Sequence, residues 1–245
     1  MEQEQQLFNL RVNDISLPEL MKIFSHSIAT HQKVHVVTLN PEMVVRQAVD
    51  QQFRQALTQA DFRIADGAGL MIAANFFGKT LHHRIPGIEL VMELIRVGQE
   101  EGWSFYFLGS SQEVMNKLIK SLREKFPRMI ISGFHHGYFQ DSSPIVEEIN
   151  RLQPNVLLVG LGSPRQELWI NHFRSFIETS IMVGVGGSFD VLSGSKRRAP
   201  VFFRKIGFEW LYRIISEPRR LKRVVPAFLK FGWMTLKEKM ALNKH

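Results

Sequence analysis

The sequence contains no cysteine. That absence excludes a disulfide scaffold, a thiolate nucleophile, a zinc knuckle and a cysteine-held iron–sulfur cluster, and it accords with a reducing compartment. No uninterrupted apolar run approaches the ~20 residues of a membrane-spanning helix. Met1 is followed by Glu2, Gln3, Glu4, Gln5 and Gln6 in place of a basic stretch and an apolar run, so no secretory signal is expected and the chain reads as cytosolic or peripheral. There is no G-x-x-x-x-G-K-[ST] loop and no G-x-S-x-G elbow, which removes P-loop ATP chemistry and the common serine hydrolases. No Asp-x-Asp stands ready to hold a divalent ion on a diphosphate. The pairs His82-His83 and His135-His136 are adjacent, and neighbours on a strand point to opposite faces, so neither pair is expected to chelate a metal.

What is present is 245 residues of ordinary globular composition, 44% hydrophobic and 22% charged. The net charge of +8 is unevenly placed. From Lys196 to His245 there are fourteen lysines and arginines against three acids, a tail of +11 on a body of −3. A basic tail carrying aromatic residues points to a polyanion: ligand phosphates, an anionic membrane surface or nucleic acid. A solvated basic helix is the plainer reading.

Short runs rich in Val, Ile and Phe alternate with stretches of helical period, as in parallel strands joined by crossover helices. Strands are expected near Val34–Leu39, Phe62–Ala65, Ser104–Leu108, Met129–Ser132, Val156–Gly160 and Ile181–Val185. Helices are expected near Pro41–Gln59, Ala68–Phe77, Ile88–Glu101, Ser111–Phe126, Ser143–Leu152 and Pro164–Ile177, with Asn40 and Ser163 as N-caps. The pattern describes an α/β body over residues 1–195, doubly wound and mostly parallel like a Rossmann sheet, whose ligands sit beyond the carboxyl ends of its strands. Residues 196–245 read as a basic amphipathic appendage. There Phe202, Phe203, Ile206, Trp210, Leu211, Ile214 and Ile215 share one face, and an apolar piece from Val224 to Leu236 is interrupted by Pro226. Such helices suit an interfacial membrane position and an ordinary packed position about equally.

Four strand ends gather unusual residues: Thr38-Leu39-Asn40-Pro41, Ala65-Asp66-Gly67-Ala68-Gly69, the segment Gly160 to Glu167, and the segment Gly184 to Asp190. Glycines there let a ligand approach the backbone, and free amides at helix N-termini hold phosphate oxygens. Gly160-Leu161-Gly162-Ser163-Pro164-Arg165 has Arg where a dinucleotide fingerprint needs its third glycine, which disfavours nicotinamide cofactors. Asp66, between a strand end and a glycine turn, is a candidate general base, with helix capping as the alternative. Asp190 could bind sugar or ribose hydroxyls or brace the Gly186-Gly187 turn. Arg84 is placed to meet a phosphate, since without a metal the positive field must come from arginines and backbone dipoles. The aromatic spacing of the tail fits core or membrane contact better than base stacking, and no nucleic-acid module accompanies it.

Taken together, T-x-N-P-E, A-D-G-x-G, R-x-x-G, H-H-G-Y-F, G-x-G-x-P-x-Q-E, G-V-G-G-x-F-D, the run Lys196 to Pro200 and E-W-L-Y-R-x-x-x-E-P-R-R resemble the WecG/TagA/CpsF glycosyltransferases, from about Val34 to Arg223. The resemblance implies an inverting, metal-independent transfer without a cofactor. An N-acetylmannosamine-type sugar, or its uronic acid, would pass from a UDP donor to polyprenyl-diphosphate-linked N-acetylglucosamine at the inner face of the cell membrane, in the assembly of wall teichoic acid, enterobacterial common antigen or capsule. It makes Asp66 the catalytic base and places Thr38, Asn40, Arg84, Gln166 and Asp190 in the substrate pocket. It also matches Arg213, Arg219, Arg220 and Arg223 to arginines of an appendage that closes the site and meets anionic lipid. The implied partners are the UDP-sugar, the lipid-linked acceptor, the membrane surface and, in some members, a second copy of the chain; nucleic acid is not among them. The competing readings are a soluble sugar-nucleotide hydrolase using Asp66 on water and a polyanion-binding protein.

Overall fold

Strands whose residues are apolar on both faces need a cover on both faces, and that is the condition for a parallel sheet between helical layers. The computed structural model describes residues 3–201, 203, 209–218 and 221–242, with the side chains of all but Gln3, Trp210, Arg213, Arg223 and Leu242. Its strands are β1 (Gln3–Leu7), β2 (Leu10–Asp14), β3 (Val34–Leu39), β4 (Phe62–Ala65), β5 (Ser104–Gly109), β6 (Ile130–His135), β7 (Val156–Gly160) and β8 (Ile181–Gly184). They form one sheet in the order β1-β2-β4-β3-β8-β7-β5-β6, in which only β1 and β2 pair antiparallel. The carboxyl ends of β4, β3, β8 and β7 therefore stand side by side in the middle of the sheet.

The helices are α1 (Leu17–Ala29), α2 (Pro41–Gln47), α3 (Gln51–Gln59), α4 (Ala68–Phe76), α5 (Gly87–Glu101), α6 (Gln112–Lys125), α7 (Ser143–Leu152), α8 (Arg165–Phe173), α9 (Ser188–Leu192), α10 (Glu209–Ser216) and α11 (Leu221–Leu242). Alternate residues of the central strands enter different cores, as the pleat requires. Val36, Ile64 and Val183 pack with Phe24, Leu90 and Leu94 on one face. On the other face, Val37, Leu39 and Ala65 pack with Met43, Val44 and Phe53. The doubly wound α/β arrangement expected from the strand and helix alternation is thus the one observed.

Several boundaries differ from expectation for identifiable reasons. The helix expected over Pro41–Gln59 is two, because the Asp50 carboxylate accepts from the Phe53 amide at 3.0 Å and caps α3. Asn40 caps α2 through Met43 as expected, but Ser163 caps nothing; α8 begins at Arg165 after Pro164 and has no side-chain cap. The N-terminal hairpin carries no apolar alternation in β1, Gln-Glu-Gln-Gln-Leu, and escaped the sequence pattern. Its turn puts Phe8 and Asn9 at φ of 50° and 61°, the twist that suits a two-residue hairpin. α1 follows with a capping box in which Ser16 and Glu19 bond reciprocally.

Pro226, expected to interrupt the C-terminal helix, lies inside a continuous α11. It sits in the second turn, where its missing N–H forgoes one backbone bond. α11 docks on α2, the N-terminal hairpin and the end of α4. Phe231 is buried against Phe8, with ring centroids 5.2 Å apart; the Phe8 amide donates to Glu238 Oε1 at 3.0 Å; and Lys239 Nζ stands 5.8 Å from the centre of the Phe76 ring. Of the apolar face expected in the first part of the tail, Ile214 is buried but Ile215 is exposed, so the two do not share a face. Phe202 and Ile206 lie outside the described residues, as does the side chain of Trp210.

Candidate active site

The βα junctions after β3, β4 and β7 each deliver expected residues to a common place, to which the junction after β8 adds its glycine turn but not Asp190. β3 ends in Thr38, which is nearly buried, and in Asn40, whose Oδ1 accepts the Met43 amide at 3.1 Å and leaves its NH2 group for the cleft. β4 ends at Ala65, and Asp66 follows. The N-cap of α4 is Gly67, one residue further on, so Asp66 is not serving as the cap. Its carboxylate instead receives the amide of Gly87, the first residue of α5, at 3.3 Å, which puts it at the positive end of that helix.

Gly69 fits because a side chain there would strike Pro41 Cγ at 2.7 Å, so the close packing of α4 on the start of α2 keeps Asp66 beside Asn40. Together these groups line a cleft of about 560 Å3, joined by Arg84 from the loop before α5, by the turns after β7 and β8, and by Ile214, Val224 and Phe228 of α10 and α11. Its size suits a substrate larger than a single sugar ring.

The loop that carries Arg84 is fastened from outside the cleft. Asp14, at the end of β2, accepts the backbone amides of His82 and His83 and the Nδ1 atoms of both rings, at 2.7–3.0 Å. Burial alone would push the Asp14 carboxyl up, but these hydrogen bonds outweigh it and hold the group below the usual carboxylate range. The two adjacent histidines therefore converge after all, because they stand in a loop rather than a strand, and what they share is a carboxylate. Among the described residues no three His, Asp or Glu side chains come together as metal ligands. At the end of β6, His135 Nδ1 bonds the carbonyl of His136 at 2.7 Å.

The turns after β7 and β8 depart from the expectation that their glycine amides are free for phosphate. Gly162 and Gly186, at φ of 78° and 51°, both direct their amides to Gln166 Oε1, at 3.2 and 3.0 Å. Gln166 is itself buried, and its Nε2 donates to Glu167 Oε1 at 2.7 Å. Its role in this structure is to tie two turns together, and a residue larger than glycine at 184 would meet Gln166 Nε2 at 2.8 Å.

Asp190 does not line the cleft. Its carboxylate pairs with Lys196 Nζ at 3.1 Å and accepts the Ser110 hydroxyl at 3.3 Å, beyond the β7 turn. Arg219 and Arg220 lie outside the described residues, as do the side chains of Arg213 and Arg223; the last two occupy positions on α10 and α11. Sequence reasoning missed the contributions of Val45 and Arg46 on α2, and of Val49 just after it, to the wall of the cleft. Their only signal was helical phase relative to Asn40, and reading it required knowing which face α11 would leave open.

Comparison with known proteins adds a separate line of observation. Residues 5–245 match the model of the glycosyl transferase WecG/TagA/CpsF family. The chain is 34% identical over 218 residues to the N-acetylglucosaminyldiphosphoundecaprenol N-acetyl-beta-D-mannosaminyltransferase of Staphylococcus aureus strain MW2, a match covering 88% of this chain and 85% of that one. The enzymes of the same name in strains NCTC 8325 and MRSA252 are similar to the same extent.

Proposed function

Because the chain belongs to the WecG/TagA/CpsF family of glycosyltransferases, we propose that it transfers an N-acetylmannosamine-type sugar, or its uronic acid, from a UDP donor to polyprenyl-diphosphate-linked N-acetylglucosamine. The observation that carries this reading is Asp66, a carboxylate that is not the N-cap of α4 and stands with Thr38, Asn40 and Arg84 in the cleft at the carboxyl ends of the central strands. The names of the relatives support the acceptor and the sugar.

In this reading the acceptor hydroxyl oxygen attacks the anomeric carbon from the side opposite UDP, and Asp66 takes the hydroxyl proton. The bond to the UDP oxygen breaks and the configuration inverts. The departing diphosphate gains negative charge, and its stabilisation is assigned to Arg84 and to the basic tail containing Arg213, Arg219, Arg220 and Arg223, without a metal. One charged hydrogen bond is worth roughly 1.5–3 kcal/mol, so loss of a single arginine should cost about 10- to 100-fold in rate.

The same reading divides the chain into a catalytic body, residues 1–195, and an appendage, residues 196–245, that brings the body to the inner face of the membrane. No described helix is long and apolar enough to cross a membrane. α11 instead presents two faces. Val224 and Phe231 are buried toward the body, while Val225, Leu229, Trp233, Leu236 and Met240 are exposed. At 100° per residue these five fall in a stripe about 80° wide on the opposite side, the geometry of a helix lying in an interface.

The test is release of UDP from UDP-N-acetylmannosamine and, separately, from its uronic acid, with and without a lipid-diphosphate N-acetylglucosamine analogue and with and without a chelator. Acceptor-dependent release that survives chelation and falls at least ~1,000-fold in Asp66→Asn is expected for a lost general base in a fixed site. Acceptor-independent release would replace this reading with the hydrolase, and a chelator-sensitive rate would overturn the metal-free mechanism.

A further inference from the structure

Glu167 is a carboxylic acid inside the protein, 1% exposed, on the first turn of α8. No step of the transfer uses it. Its Oε1 accepts the hydrogen bond from Gln166 Nε2, and its Oε2 has no hydrogen-bond partner among the described residues. A buried carboxyl is costly, and an apolar residue of the same shape would remove the cost. What the apolar residue would not supply is an acceptor for the Gln166 amide.

That acceptor decides which way Gln166 faces. A carboxamide has one end that accepts and one that donates. The amides of Gly162 and Gly186 can only donate, so they need the oxygen end; the nitrogen end then needs an acceptor, and Glu167 Oε1 provides it. The chain of contacts thus runs from one buried carboxyl through one carboxamide to two turns at the rim of the cleft, on adjacent strands β7 and β8. Burial pushes the Glu167 carboxyl above the usual range, with hydrogen bonds from Gln166, from its own backbone amide and from the Ser163 side chain opposing, but Oε1 can accept in either protonation state.

We propose that Glu167 is a positioning residue for the glycosyl transfer, locking the orientation of Gln166 so that the turns at Gly162 and Gly186 hold the spacing the UDP-sugar requires. The proposal rests on the donor reading above. Its consequence is that the two glycine turns act as a fixed frame rather than as phosphate-binding amides, and that the frame is set from inside the core.

The experiment compares Glu167→Met, which keeps the volume and removes the acceptor, with Glu167→Gln, which keeps an oxygen for Gln166. The wild type first establishes UDP binding by calorimetry and turnover with the acceptor analogue; failure there sinks the donor reading and leaves the frame to be tested by exchange alone. With a folded Glu167→Met, the expected result is a KM for the donor raised ~10-fold and a weaker UDP affinity, with kcat changed less, and restoration to within about twofold in Glu167→Gln. Unchanged KM in Glu167→Met, or a Glu167→Gln as impaired as Glu167→Met, would overturn the proposal. Amide hydrogen exchange on the wild type tests the frame independently of any variant's folding. The Gly162 and Gly186 amides should be among the slowly exchanging loop positions, and exchange at the rate of open loops would overturn it.

Discussion

Buried ionisable side chains need hydrogen bonds in place of water, and three residues of this protein meet that demand to different degrees. Arg63, almost wholly buried on β4, directs its guanidinium to the carbonyls of Arg11, Leu57, Thr58 and Ala60, fastening the end of α3 to the hairpin. Arg63→Met should strand those carbonyls and cost roughly 2–4 kcal/mol in urea unfolding, with no change in the cleft. Asp14 meets its demand fully through His82 and His83, and Asp14→Leu should free the Arg84 loop and raise the donor KM while the sheet stays intact, as read by kinetics beside circular dichroism. His35 does not meet it. Both ring nitrogens lack partners among the described residues, and burial, with the charges of Arg174 and Arg63 adding to it, pushes the ring down to about 3 from 6.5. Between those values the unfolded chain binds a proton that the folded chain refuses, so stability falls as pH falls. From pH 7 to pH 5 the contribution lost is about 2 kcal/mol, and His35→Leu should show a correspondingly shallower decline over that range in urea titrations.

At the scale of elements, what the sequence displays best is the part whose periodicity is undiluted. β3, β4 and β7 begin and end where alternation of apolar runs with helical stretches places them, because every one of their residues faces a core or a neighbouring strand. The elements that escaped are set by hydrogen bonds that leave no apolar period: the polar β1, paired through its backbone to β2, and the break at Asp50, which a helical period alone cannot reveal. α11 is the element whose position matters most to the cleft. It is held by Phe231 against Phe8 and by the Phe8 to Glu238 bond. Phe231→Ala should cost up to ~3–5 kcal/mol of local docking energy. The expected outcome is selective: amides of residues 221–242 exchange faster in mass-spectrometric measurements while those of β3, β7 and β8 do not, and the cleft loses the wall formed by Val224 and Phe228. A uniform loss of protection would mean that the helix is part of the cooperative core.

At the scale of the whole molecule, charge and apolar exposure are separated in a way that residue counts alone do not show. The tail carries +11 and the body −3. On α11 the exposed stripe includes Leu229 at 72% and Trp233 at 63%, values that only a helix with an open outer face reaches. Under the membrane reading, basic residues near an anionic surface contribute ~1 kcal/mol each and the apolar stripe adds the buried-area term. Leu229→Asp together with Trp233→Asp should therefore reduce binding to vesicles containing anionic lipid at least ~10-fold in sedimentation, and the residual binding should vanish at high salt. Turnover of a soluble acceptor analogue should be kept, since neither residue lines the cleft. Equal vesicle binding by the variant would assign the stripe to another contact.

The sequence by itself determined the six strands β3 to β8 of the sheet, the chain order of their βα junctions and the presence of Asp66, Thr38, Asn40, Arg84 and Gln166 at or just beyond strand ends, because apolar periodicity and capping act over a few residues and leave their mark locally. Tertiary structure alone decided the rest. It committed the Gly162 and Gly186 amides to Gln166, turned Asp190 toward Lys196, brought two neighbouring histidines onto Asp14 and laid α11 over α2 and the hairpin. The Gly186 bond to Gln166, the two histidines on Asp14 and the docking of α11 join segments 20 or more residues apart. A donor cannot show in its own sequence which distant acceptor it will meet; that choice is made when the strands pair and bury the groups together.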